Sequence, residues 1–198
     1  MWQTYKNHSA IQGAADNVCF DIVSGRFAFV VTSDWHTSDT YPNGSITTRV
    51  QQIKTWIDNP TTEMPEPEFM VITGDFPHLT QTDTIINDVL GSDFLWYPVI
   101  GNHEMDDLTN DFNAIRDTFV PTLPNIVDHG PTGSVNTTYS WDYENSHFIA
   151  INPFWDGASN DHTSGGDIPP ALNTWVNTDL TNNAASHNFA FIHTPPFP

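Results

Sequence analysis

The stretch that most limits what this chain can fold into is Phe94-Leu95-Trp96-Tyr97-Pro98-Val99-Ile100, followed at once by Gly101-Asn102-His103-Glu104. A short, continuous apolar run rich in aromatic and branched side chains reads as a buried strand. Strands of an α/β sheet deliver their carboxyl ends to a crevice where ligands bind. Here that end offers a glycine for a tight turn or close approach, a carboxamide oxygen, and an imidazole able to ligate metal or move a proton. By itself the tetrapeptide reads equally well as a polar turn.

Three more apolar runs end in the same way. Residues 26–33 lead into Asp34-Trp35-His36, residues 68–73 into Gly74-Asp75, and residues 188–192 into His193-Thr194-Pro195-Pro196. Residues two apart on an extended chain share a face, so Asp34 and His36 are expected side by side with Trp35 turned away. Each block is weak alone. Four of them at successive strand ends form a strong signal.

In this order the blocks resemble the pattern of calcineurin-like metallophosphoesterases: Asp-x-His, Gly-Asp, Gly-Asn-His-Glu or Asp, then a later His. The stretches Thr138-Tyr139-Ser140-Trp141-Asp142-Tyr143 and Ser146-His147-Phe148-Ile149-Ala150-Ile151-Asn152 add to the likeness, which covers residues 26–198. The resemblance implies an α/β fold, a sandwich of two mixed β-sheets flanked by helices. It implies hydrolysis of phosphate mono- or diesters by a hydroxide bound to two divalent ions, of manganese, zinc or iron. Carried onto this chain, Asp34 and His36 would hold the first ion, Asp75 would bridge both, and Asn102 and His193 would hold the second. His103 would serve as general acid beside the leaving oxygen, and Glu104 as a supporting carboxylate.

Some features depart from the family pattern. Purple acid phosphatases carry a tyrosine three residues after the Gly-Asp aspartate, where this chain has His78, and Asp-x-Gly where it has Asp34-Trp35-His36. A tyrosinate-bound ferric ion is therefore not expected. The chain ends five residues after His193 without a Gly-His-x-His block, which leaves the ligand set two imidazoles short. On this reading residues 1–20 form an arm and residues 21–198 a domain lacking its last strands. Weak or single-ion binding, and an unpaired strand prone to instability, are the expected consequences. The competing reading is a truncated or degenerate member of the fold that binds metal or a partner without catalysis.

Composition narrows the partners. Five Lys and Arg stand against twenty-four Asp and Glu, for a formal charge of −19. Such a surface repels nucleic acid and offers no basic stripe to track one, so the expected partner is a small phosphate ester or phosphorylated molecule. Bound cations would invert the charge locally. The balance suits a soluble protein of an extracellular, periplasmic or high-salt cytoplasmic setting. No signal-peptide-like or membrane-spanning run is visible. Cys19 is the one cysteine, so no intrachain disulfide framework forms. Asn-x-Ser/Thr sites begin at Asn7, Asn43 and Asn136.

Periodicity places helices at Ser45–Asp58, stopped by Pro60, at Thr84–Leu90, after Glu104 with Leu108, Phe112, Ile115 and Phe119 on one face, and around Leu172–Leu180. A loop rich in polar residues spans Thr37–Gly44. Residues 139–143 and 147–152 read as a hairpin turning at Glu144-Asn145-Ser146. Val18-Cys19-Phe20 reads as a short strand, and residues 156–167 as a polar loop. Of the remaining histidines, His8, His129, His147 and His187 read as surface or structural residues, while His78 and His162 lie in loops that border the expected pocket. Trp35 and Trp155 read as core.

Overall fold

The structure, a computed structural model, describes residues 18–22, 27–36, 46–160 and 168–194. The expected arm up to residue 17, the Thr37–Gly44 loop, His8, His162, Asn7, Asn43 and most of the 156–167 loop lie outside the described residues. Two four-stranded sheets face each other. The first has the order β1 (Val18–Ile22), β2 (Phe27–Thr32), β3 (Pro67–Ile72) and β4 (Leu95–Pro98). β1 runs antiparallel to β2, and β2, β3 and β4 are parallel. Parallel neighbours need crossovers, and α1 (Ile46–Asp58) and α2 (Leu79–Leu90) provide them.

The second sheet has the order β5 (Ile126–Asp128), β6 (Tyr139–Tyr143), β7 (Ser146–Ile151) and β8 (His187–Ile192). Its first three strands are antiparallel, and β8 returns parallel to β7 after α3 (Pro170–Asn182). The expected hairpin forms, with Glu144 in the left-handed region at φ 52°.

Strand alternation sorts the side chains into layers. Between the sheets, Phe29 stacks on Phe69 at 5.3 Å, Tyr97 stacks on Trp141 at 4.2 Å, and Phe148 meets Phe29, Phe69 and Phe189. Tyr139 ties the layers by donating its hydroxyl to the Pro98 carbonyl at 2.7 Å. On the other face of the first sheet, Trp96 donates to Asp83 of α2 at 3.1 Å. Every residue of β7 is buried. Phe148 and Ala150 enter the inter-sheet core, while Ile149 and Ile151 join Trp155 and Leu172 in a second cluster that takes up α3 residues Trp175, Val176 and Leu180.

Two expected helices need correction. α2 begins at Leu79 rather than Thr84, because Asp111, thirty-two residues away, accepts the Leu79 N–H at 2.8 Å and serves as its cap. A cap supplied from a distant segment leaves no local signature. The segment after Glu104 is not one regular helix. A 3₁₀ turn at His103–Met105 leads to two wide π turns, Leu108–Phe112 and Ile115–Phe119, and a closing turn at Val120–Thr122 that holds Pro121. The wide turns shift the apolar face, so Phe112 and Ile115 are buried while Leu108 stays 50% exposed. Phe119 packs on Trp96 at 4.6 Å. The run expected as a strand over residues 94–100 pairs only at Leu95–Pro98, although Val99 continues the ladder with a bond to the Ile72 carbonyl at 2.8 Å.

Candidate metal centre

Because β2, β3 and β4 are parallel, their carboxyl ends emerge on one edge. The segments that follow are cross-tied by backbone bonds: Thr73 N–H to Thr32 at 2.7 Å, Asp34 N–H to Gly74 at 3.1 Å, and His36 N–H to Asp75 at 2.9 Å. The carboxyl end of β8 reaches the same edge from the second sheet. His193 Nδ1 meets the Thr73 carbonyl at 2.8 Å, and its Nε2 lies 3.4 Å from Asp75 Oδ2 and 3.3 Å from Asn102 Oδ1. The structure thus brings Asp34, His36, Asp75, Asn102, His103 and His193 together at one place.

The approach is close enough to require glycine. A Cβ on Gly74 would stand 2.6 Å from His193 Nδ1, and one on Gly101 would stand 2.6 Å from the Asp75 nitrogen. Gly74 also adopts φ 92°, a region that side chains disfavour.

Asp34 and His36 are neighbours for a different reason from the one strand alternation supplies. Both lie beyond β2 in the left-handed region, at φ 55° and 49°, and Asp75 does the same at 56°. Their side chains face each other at 3.8 Å because two left-handed residues on either side of Trp35, not an extended backbone, aim them. Such conformations are uncommon for non-glycine residues and cluster at functional sites. Trp35 is turned inward as expected, 1% exposed, with its indole N–H donating to Thr32 Oγ1 at 2.6 Å.

Asp75 is the centre of the cluster. Burial would raise its carboxyl, but His193 and the His103 N–H outweigh burial and hold it below the usual range. For His193 burial works downward, and the Asp75 carboxylate overcomes it to push the imidazole up to about 9. Two ligand-competent groups share Asp75: Asp34–Asp75–His193 and His36–Asp75–His103, with the ligand atoms in each within 4.8 Å of one another. This grouping joins Asp34 to His193 and His36 to His103, unlike the pairing the resemblance implies. His103 stands with its Nε2 3.9 Å from Asp75 Oδ2 and its ring edge-on to His36 at 5.0 Å.

Glu104 and Asp106 support the cluster. Glu104, 1% exposed, accepts backbone N–H bonds from Gly101 at 2.6 Å and from Asp75 and Phe76 at 3.0 Å each. One carboxyl group therefore clamps the loops after β3 and β4. Burial pushes it up to about 8 against the pull of those donors. Asp106 was not singled out in the sequence; its Oδ2 lies 3.0 Å from His103 Nδ1. Its i+3 spacing on a helical turn was the available signal. Phe154, also missed, stands 6.5 Å from the His193 ring. His78 turns to Asp111 at 2.7 Å, in a separate group with Asp107.

The donor set fits divalent cations. It mixes carboxylate and carboxamide oxygens with imidazole nitrogens, as borderline metals prefer, and His193 shows the arrangement usual for a ligating histidine, its second nitrogen on a backbone carbonyl.

The family model described as calcineurin-like phosphoesterase matches residues 27–187. The chain belongs to that family, whose members are metal-dependent phosphoesterases. The matched stretch holds every candidate from Asp34 to Glu104, and His193 lies just beyond it. No curated protein sequence matches the chain. Among the described residues, no helix is long and apolar enough to cross a membrane.

Proposed function

We propose that the chain hydrolyses phosphate mono- or diesters with two divalent ions held by Asp34, His36, Asp75, Asn102 and His193. The observation that carries this reading is the position of Asp75, common to both ligand-competent groups. A carboxylate so placed is what a two-ion site needs between its ions. Bound ions of manganese, zinc or ferrous type would neutralise the phosphoryl oxygens and provide a nucleophile at neutral pH.

The chain's own residues do the rest. Glu104 keeps the Gly74-Asp75 and Gly101-Asn102 loops at fixed separation through its three N–H partners. Asp106 holds His103 Nδ1, so Nε2 faces the Asp75 side, from which it hands a proton to the leaving oxygen. His103 is half exposed, its side chain at 49%, which lets a substrate approach it. The strongly acidic composition disfavours nucleic-acid polymers, which leaves small phosphate esters or phosphorylated molecules as substrates.

The test is hydrolysis of p-nitrophenyl phosphate and bis(p-nitrophenyl) phosphate by chelator-stripped chain before and after adding manganese. Turnover that returns with the ion supports the reading, and the ratio of the two rates assigns mono- or diester preference. A chain that binds manganese yet cleaves neither ester overturns it in favour of a non-catalytic binding module.

A further inference from the structure

Among the named strands β8 ladders with β7, and the end of β8 must place His193. Its alternation alone does not define a unique register. Phe189 and Phe191 both pack on the aromatic core, and a slip of two residues would keep one of them there but bring His187 or His193 into the other's place. That slip would carry His193 about 6.6 Å along the strand. The aromatic pair favours the observed register, and polar contacts outside the core add to that selection.

A buried polar chain stands at the start of β8. His147, on β7 and fully buried, has its Nδ1 2.6 Å from Asp142 Oδ1 on β6 and its Nε2 2.7 Å from Asp179 Oδ2 on α3. The Asp179 carboxylate makes Nε2 a donor, while Nδ1 lies against both Asp142 and, at 2.9 Å, the Asn183 amide nitrogen. Asp179 also accepts from Ser140 at 3.0 Å and, through its carbonyl, from the Asn183 N–H at 3.1 Å. Asn183 then donates its amide to Asp142 at 3.1 Å and accepts the Ala185 N–H at 2.6 Å. One residue later, the Ser186 N–H bonds to the Asn145 carbonyl in the β6–β7 turn at 3.0 Å. The α3–β8 connection is thus pinned to the β6–β7 hairpin immediately before β8 begins.

We propose that the Asp142–His147–Asp179 chain, with Asn183, locks the register of β8 and is thereby a positioning device for His193. The inference rests on the metal-site reading above for its consequence, though not for its geometry. The lock acts at a distance: it touches neither ion nor ester and works by deciding where the carboxyl end of β8 falls.

The test is a double-mutant cycle on manganese affinity with Asp179→Asn and His193→Ala, with Asn183→Ala as the milder alternative should Asp179→Asn fail to fold. Breaking the lock in the wild-type background should weaken manganese binding about 10-fold, as loss of a ligand's support commonly does. In the His193→Ala background the same change should have almost no effect, because the group being positioned is gone. Equal weakening in both backgrounds would mean general loosening and would overturn the proposal, as would no weakening in either. Hydrogen exchange of the β8 amides gives a readout independent of metal. If the wild type binds no manganese but β8 protection falls in Asn183→Ala, the metal-site reading fails and the lock stands. If β8 protection is unchanged, the lock fails.

Discussion

The edge where β2, β3, β4 and β8 end and the underside of α3 contain the same chemistry, carboxylates facing imidazoles, arranged to opposite ends. Around His147 the gaps are 2.6 and 2.7 Å and the ring is wholly buried. Around Asp75 the imidazoles stand off at 3.4 and 3.9 Å, and the other five residues of the cluster are partly or largely open to solvent. Groups at hydrogen-bond distance satisfy one another and have nothing left to offer. Groups held toward the outer limit of that distance, on loops with left-handed residues that cost on the order of 1 kcal/mol or more each, keep lone pairs available for cations. Spacing, more than residue type, separates a latch from a site.

That contrast can be broken from either side. Asp75→Asn should have the largest effect, lowering manganese-dependent ester hydrolysis by about 1,000-fold, because the variant removes the group both ligand sets share; a rate assay checks it. His147→Ala should cost about 3–5 kcal/mol of stability, since it leaves Asp179 and its neighbours without their cation. Urea unfolding measures this, and a loss below about 1 kcal/mol would put the latch among weak surface pairs. Excess manganese at about 100 times its Kd should stabilise the wild type by about 2.7 kcal/mol and leave Asp75→Asn nearly unmoved, as read by thermal unfolding.

Smaller effects sharpen the comparison further. Glu104→Gln should cost about 1–3 kcal/mol, because one N–H of the clamped loops then faces an amide donor in a buried cradle; chemical denaturation with a parallel manganese titration tests both the fold and the clamp. The pH dependence of the latch should be the most modest signal. Burial lowers the His147 imidazole, but Asp179 and Asp142 outweigh it and raise it above 6.5. A folded value above the unfolded one makes the stabilisation fully present below about 6.5 and removes it as pH climbs through the raised folded value. The stability difference between the wild type and His147→Gln should therefore shrink on the alkaline side, and one that grows there would contradict the assignment.

How much of this could be read beforehand varies by residue. Asp34, His36, Asp75, Asn102, His103 and His193 were legible because each sits where an apolar run stops, and such runs are local patterns. The hairpin at Glu144-Asn145 was legible for the same reason. The true start of α2 was not, since its cap is Asp111. Leu108 was misplaced because wide turns break the 3.6-residue period on which helical faces are read. His147 looked like an ordinary structural histidine, because neither Asp142, five residues before it, nor Asp179, thirty-two after, is marked as a partner by spacing.

Sequence pattern was enough for the class of fold, the order of the strands that carry the candidate ligands, and the chemical types at their ends. Those are properties of short segments, set by side-chain pattern and turn chemistry. The tertiary structure decided which groups meet: the left-handed bends that aim Asp34 and His36, the Glu104 clamp across two loops, the latch beneath α3, and the contact of His193 with Thr73 across 120 residues of chain. Contacts at such separations exist only once the two sheets have packed. The packing depends on the whole aromatic core rather than on any motif.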